Sequence, residues 1–273
     1  MSSISFGQYY PAKSVLHRLD PRIKIILTIL YIVCSFVCQN ILSYALLLIS
    51  SLVLVLVGRV PLRIIVKGLK GVIFILLFTA VLNIFWTSGE MLLFKWNFIA
   101  IYVEGLYAAL FIMIRITTLI IGTGMLLTYT TTPIALTNAI EDLLSPLKKL
   151  HVPVHSFAMM MTIALRFIPT LADETERIMT AQKARGADFS SGGLVKRAKA
   201  LIPILIPLFV SAFNRAGDLA TAMECRCYNG GEGRTRMNVR KIRFSDFIPL
   251  VFIIAFGAGL IVLNILAIGY TVA

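Results

Sequence analysis

The sequence predicts an all-α polytopic membrane protein, with about five transmembrane helices and long helices at the cytoplasmic face. Three observations carry this expectation. Of 273 residues, 58% are apolar and only 14% are charged, against about 45–50% and about 25% in ordinary soluble domains, so the apolar excess has to face lipid. Apolar runs long enough to cross a bilayer recur along the chain. The remaining charge is lopsided, since 26 Lys and Arg against 13 Asp and Glu leave +13, and basic residues on a lipid-embedded chain gather at the cytoplasmic face. That distribution points to the bilayer as a partner and away from nucleic acid.

A span needs about 20 mostly apolar residues. Ile23 to Val57 is long enough for two, with Gln39 and Asn40 inside a turn near Cys38 to Ser43. Val72 to Trp86 makes a third, Phe98 to Leu127 a fourth broken only by Glu104 and Arg115, and Phe247 to Tyr270 a fifth. Lys13, Arg18, Arg22 and Lys24 hold the N-terminus inside, and Arg59, Arg63, Lys67 and Lys70 hold the loop after the second span inside. The loop around Gly89, with only Glu90 and Lys95, lies outside. Met1 to Gln8 lacks the basic and apolar regions of a cleaved leader, so the chain is expected to be mature as it stands.

Thr130 to Asp246 holds two shorter apolar pieces, Ser156 to Leu171 and Leu201 to Phe213, separated by Arg177, Lys183, Arg185, Lys196, Arg197 and Lys199. If the first piece crossed, this basic stretch would be exported against the orientation of every other loop. Neither piece is expected to cross. Helices are expected throughout, because lipid forces backbone groups to bond within their own segment. Pro133 opens an amphipathic one through Ile140, Leu143 and Leu144, with Glu141 and Asp142 opposite. A second runs from Val154 to Arg185 with Gly186 as its cap, and a third starts after Gly192 and Gly193, bends at Pro203 and Pro207, and ends before Asn229. Three regions result: 1–129 with four spans, 130–246 at the cytoplasmic face, and 247–273 with the last span.

Much chemistry is missing. No G-x-x-x-x-G-K-[ST] phosphate loop occurs. His151 and His155 are four apart, but Pro153 breaks the helix that a paired metal site needs. Cys34 and Cys38 read as small apolar packers, and Cys225-x-Cys227 lacks the further ligands that structural zinc wants. No Ser, His and acid arrangement stands out, so neither catalysis nor a bound cofactor or metal is expected. Glu104 and Arg115 are candidates because ionisable residues within a span are costly. Eleven residues at about 1.5 Å rise put them about 16 Å apart, too far to pair on one helix. Glu104 fits the outer interface, and Arg115 fits either snorkelling or bonding to neighbouring carbonyls.

Two segments are alike. In Glu174-Thr-Glu176-Arg177-Ile-Met-Thr-Ala181-Gln182-Lys-Ala184-Arg185-Gly186, small residues lead to an Arg at a helix end. Ala220-Thr-Ala222-Met223-Glu224-Cys225-Arg226-Cys227-Tyr228 repeats the pattern. A cation there would complement the helix dipole by about 0.3–1 kcal/mol. These two segments, together with Gly7-Gln8-Tyr9, Ser14, the run Leu16-His17-Arg18-Leu19-Asp20-Pro21-Arg22-Ile23-Lys24, and Val152-Pro153-Val154 leading to Leu165-Arg166-Phe167-Ile168-Pro169, resemble the transmembrane T component of energy-coupling factor transporters. The resemblance runs to about Tyr228, and Cys225 and Cys227 depart from the family's small residues around Arg226.

The resemblance implies a non-catalytic, multi-pass subunit of a prokaryotic plasma membrane, with its N-terminus cytoplasmic. Such a subunit couples two cytosolic ABC-type ATPases to a small membrane subunit that binds a vitamin or metal ion. It implies that Ala184, Arg185, Gly186, Glu224 and Arg226 engage the ATPases, that Met159, Met160, Met161 and Leu165 contact the substrate-binding subunit, and that Asp20, Pro21 and Arg22 form a structural N-terminal motif. The rival class is a stand-alone secondary carrier centred on Glu104 and Arg115. Midplane sites of carriers come with repeats and broken helices, and the spans show no repeat.

Overall fold

The computed structural model describes residues 9–89, 91–96, 99–150, 152–189, 193–230 and 244–266. Its helices are α1 (Val15–Arg18), α2 (Pro21–Val37), α3 (Ile41–Gly58), α4 (Leu62–Lys70), α5 (Ile73–Trp86), α6 (Val103–Thr123), α7 (Pro133–Leu143), α8 (Val154–Ala184), α9 (Leu194–Cys225) and α10 (Ile248–Ile265). The chain is an all-α polytopic membrane protein, and it divides into two compact units. One is built on Gly7–Leu136 with Arg240–Ala273 and the other on Thr137–Val239.

In the first unit α6 packs against α2, α3 and α5, and α10 packs against α2 and α3. The core between them holds Leu27, Tyr31, Leu47, Phe111 and Leu260. Gly122 lets α2 and α6 close: a Cβ there would lie 2.1 Å from Cε1 of the buried Tyr31 ring. The expected turn between α2 and α3 is present, and two of its polar side chains donate to α10. Asn40 Nδ2 donates to the Leu263 carbonyl at 3.2 Å, and Ser43 Oγ donates to Asn264 Oδ1 at 3.0 Å. Cys34 and Cys38 are buried, and Cys38 Sγ donates to the Cys34 carbonyl at 3.3 Å, so both are apolar packers as expected.

Two features depart from the sequence expectation. The helix of the fourth apolar stretch starts only at Val103, because β1 (Leu92–Trp96) and β2 (Ile99–Tyr102) pair antiparallel before it. The pairing of the two strands satisfies backbone groups that a helix would otherwise satisfy. The loop after α3 also contains a helix of its own, α4, joined to α5 with a bend of 59°. At its other end α6 continues through a π-helical turn, Gly124–Thr128, so one apolar helix extends from Val103 to Thr128.

Both ionisable residues of α6 have local partners. Glu104 Oε1 accepts the Met91 backbone N–H at 3.1 Å. Arg115 donates to the Cys38 carbonyl at 2.9 Å and to the Tyr44 hydroxyl, with the Tyr44 ring 5.4 Å and the Phe36 ring 6.0 Å from its guanidinium carbon. Carbonyl and aromatic faces together make a cation tolerable within a span.

The second unit contains α8 and α9, which pack on each other. Both are single uninterrupted helices of 31 and 32 residues, with Pro169 inside α8 and Pro203 and Pro207 inside α9. Each is also long and apolar enough to cross a bilayer, as are α3, α6, the Phe244–Ile265 stretch and the bent α4–α5 pair, whereas α2 has only 17 residues. Length and composition therefore do not choose which helices cross. In α7 the sides are reversed from expectation: Glu141 is buried, while Ile140 and Leu144 are exposed. His155 Nδ1 lies 3.0 Å from Glu141 Oε1, and that partner allows the acid to be buried.

Candidate functional site

The ends of α8 and α9 are built alike. Ala184 is the last helical residue of α8, Arg185 is its C-cap, and Gly186 follows at φ 87°. The Gly186 N–H donates to the Lys183 carbonyl and the Ala187 N–H to the Gln182 carbonyl, each at 3.0 Å. This is the Schellman closure, which needs a left-handed residue just beyond the cap. In α9 the last helical residue is Cys225, the C-cap is Arg226, and Cys227 takes the left-handed place at φ 56°. The Cys227 N–H donates to the Glu224 carbonyl at 2.8 Å and the Tyr228 N–H to the Met223 carbonyl at 3.0 Å. Arg185 and Arg226 thus occupy the same position of the same closure.

Both arginines are exposed, as are Ala181, Ala184, Gly186, Ala220, Ala222 and Glu224. Among the described residues no hydrogen bond or ion pair occupies either guanidinium. Dipole attraction favours a cation somewhere in a last turn, but it does not require the cap residue at both ends. What the two ends offer is an unengaged, planar donor set on a fixed backbone, of the kind that carboxylates accept in pairs.

Between the helices, Glu174 accepts from Ser211 Oγ at 2.6 Å and pairs with Arg215. Beside this bridge lies a groove of about 330 Å³ with Phe167 and Leu171 on one wall and Ala212, Ala216 and Met223 on the other. Sequence reading misses Ser211 and Arg215, because an acid and a base on separate helices carry no signal of their register. Their spacing of four, one face of α9, is the only available clue. Met160 is 58% and Met161 is 39% exposed, while Met159 and Leu165 are half-buried. Met161 and Leu165, four apart, share a face, and Met159 and Met160 point away from it.

At the N-terminal run, Asp20 Oδ1 accepts the Arg22 N–H at 2.9 Å and Pro21 is the first residue of α2. Lys24, one turn on, is buried at 1% exposure, and its Nζ donates to the Thr130 carbonyl at 2.8 Å and to the Thr130 and Thr131 hydroxyls at 3.1 Å. Ser14 Oγ lies 2.7 Å from His17 Nδ1, and His17 Nε2 lies 2.8 Å from the Tyr10 carbonyl. The Tyr10 N–H donates to the Tyr129 carbonyl at 3.0 Å. The run therefore ties the N-terminal segment and the start of α2 to the end of the α6 stretch. Gly7, Gln8, His151 and Gly192 lie outside the described residues, and among those described no three His, Cys, Asp or Glu side chains are grouped to hold a metal.

A family profile described as CbiQ, cobalt transport protein, matches residues 12–237. The chain belongs to the CbiQ family. Relatives named energy-coupling factor transporter transmembrane protein EcfT agree with this. One from Ruminiclostridium cellulolyticum is 53% identical over 91% of this chain and 91% of its own length, and one from Clostridium kluyveri is 53% identical over 91% and 92%. Another, from Bacillus subtilis, is 50% identical over 86% and 89%. As a CbiQ-family chain with apolar helices of crossing length, it is a multi-pass protein of a prokaryotic plasma membrane and the T component of an energy-coupling factor transporter. The matched range contains Asp20, both arginine-ended segments and the whole of α8 and α9.

Proposed function

We propose that this T component is the non-catalytic scaffold of an ATP-driven importer of vitamins or metal ions, transmitting movement from two cytosolic ABC-type ATPases to a small substrate-binding membrane subunit. In this reading α8 and α9 are the coupling helices. Arg185 and Arg226 enter grooves on the two ATPases, with Ala184, Gly186 and Glu224 allowing and framing the approach. Met161 and Leu165 meet the substrate-binding subunit from one face of α8, and Met159 and Met160, on its other sides, reach that subunit where it wraps round the helix, through side chains that adapt to more than one surface.

The observation that carries the reading is the duplicated closure, which holds an unengaged Arg at the same backbone position on two long helices. Two like ends suit two like partners. The largely uncovered apolar sides of α8 and α9, including Phe209 and Phe213, add a second reason for a membrane partner. A stand-alone carrier would need free ionisable groups at one site, whereas Glu104 and Arg115 each bond to nearby backbone.

Co-purification tests the proposal. The tagged chain, solubilised from its native host, should bring down two ATP-hydrolysing subunits in stoichiometric amount, and the Arg185→Ala/Arg226→Ala double variant should lose them or hydrolyse ATP without uptake. Truncating one partner of a buried charge pair costs about 2–5 kcal/mol. Normal complex yield with full uptake by the double variant would refute the assignment.

A further inference from the structure

We propose that α4 is a binding site for anionic phospholipid headgroups, with Arg63, Lys67 and Lys70 holding their phosphates at the membrane surface. The three cations follow one another at spacings of four and three residues on a nine-residue helix, so they form one row. Arg59, in the left-handed conformation at φ 52°, precedes them at the end of α3. All four are exposed, and among the described residues no hydrogen bond or ion pair engages any of them. Nearby sequence offers no compensation either, because no Asp or Glu occurs between Pro21 and Gly89. Like charges one turn apart repel, and an external anion is what relieves them.

The rest of α4 names the source of that anion. Ile65 is buried in the protein, whereas Leu62 and Val66 are exposed at 67% and 59%. Water would penalise those apolar side chains, and the acyl boundary would not, which is the amphipathic pattern of a helix lying in an interface. Position agrees. The attached α4 is bent by 59° from α5, so its row of cations turns away from the α5 axis, and Lys and Arg stems reach from it to the headgroups. From Arg63 to Lys70 the row extends about 10 Å along the axis. That is longer than one phosphate and suits two, from neighbouring lipids or from a single diphosphatidyl headgroup.

Nanodiscs of phosphatidylcholine doped with phosphatidylglycerol or with cardiolipin, followed by mass spectrometry of lipid retained on the full-length chain, test the site. Each basic residue near an anionic surface contributes about a fivefold gain in binding. The R63Q/K67Q/K70Q variant should therefore retain at least about tenfold less anionic lipid than the unaltered chain, and the charge-preserving R63K/K67R/K70R variant should retain as much. Equal retention by the unaltered chain and the glutamine variant would overturn the proposal. So would displacement of the lipid by inorganic phosphate at matched ionic strength, which would make the row a soluble-anion site. Because the same residues bear on orientation, the single variants K67Q and K70Q are measured too. A several-fold fall in retention for each supports the site, and no fall in either overturns it. The outcome is independent of whether α8 and α9 dock ATPases.

Discussion

At the scale of single residues, the second arginine-ended segment departs from the first in placing Cys227 where the first has Gly186, yet both residues are left-handed, at φ 56° and 87°. The requirement is on the backbone, since the cap needs a positive φ and a side chain there is crowded against its own carbonyl by about 1 kcal/mol. Cys227→Gly should stabilise the chain by about 0.5–1 kcal/mol and Gly186→Ala should destabilise it by about 1 kcal/mol. Both are read as shifts of the thermal midpoint in detergent, and a lower midpoint for Cys227→Gly would contradict the strain. Asp20 is legible in the sequence as a cap before Pro21, and its carboxylate does accept the Arg22 N–H. Its replacement by Ala should cost about 1 kcal/mol of stability and lower complex yield. Normal yield and stability with abolished transport would instead give Asp20 a direct part in function. The partner of Lys24 was not legible, because Thr130 and Thr131 lie more than 100 positions away and two Thr among many carry no mark of burial.

Elements were read best where one physical rule acted alone. The starts and ends of α8 and α9 follow from Pro153, Gly186, Gly193 and the run before Asn229, since caps and breakers act locally. The hairpin β1–β2 escaped that reading because an apolar stretch next to a span has no period of its own. In α4 the charges by themselves mark a cytoplasmic loop, although their spacing of four and three also describes one helical face. Between α8 and α9 the Glu174–Arg215 pair bridges side chains that are 22% and 36% exposed, so solvent screens it and the coupling is modest. A double-mutant cycle with Glu174→Gln and Arg215→Gln should give about 0.5–1 kcal/mol. A coupling indistinguishable from zero would leave the groove packing alone to hold the two helices.

At the scale of the whole molecule, charge is what discriminates among the helices of crossing length. α8 and α9 pass every test of length and apolarity, but Arg166, Asp173, Glu174, Glu176 and Arg177 lie within α8, and Lys196, Arg197 and Lys199 open α9. Burying these in hydrocarbon or exporting the basic stretch between the two helices would oppose both the cost of intramembrane charge and the orientation of the other loops. We expect five crossings, by α2, α3, α5, α6 and α10, with 130–246 wholly cytoplasmic. A single Cys at position 191, with the native Cys removed, should resist an impermeant thiol reagent in intact cells and react in inverted vesicles, and one at position 271 should do the reverse. Labelling at 191 from outside would make α8 a span and end the coupling-helix reading. Composition and charge spacing suffice for the membrane class, for most helix limits and for the two arginine-bearing ends, because hydrophobic transfer, caps and the positive-inside bias are local or additive properties of a chain. Pairings across the fold were settled by packing instead: Arg115 against the α2–α3 turn, Lys24 against the end of the α6 stretch, Glu174 against α9, and Glu141 turned inward to His155. Each brings together groups far apart in sequence whose energies depend on distance and burial, and neither quantity exists until the helices have packed.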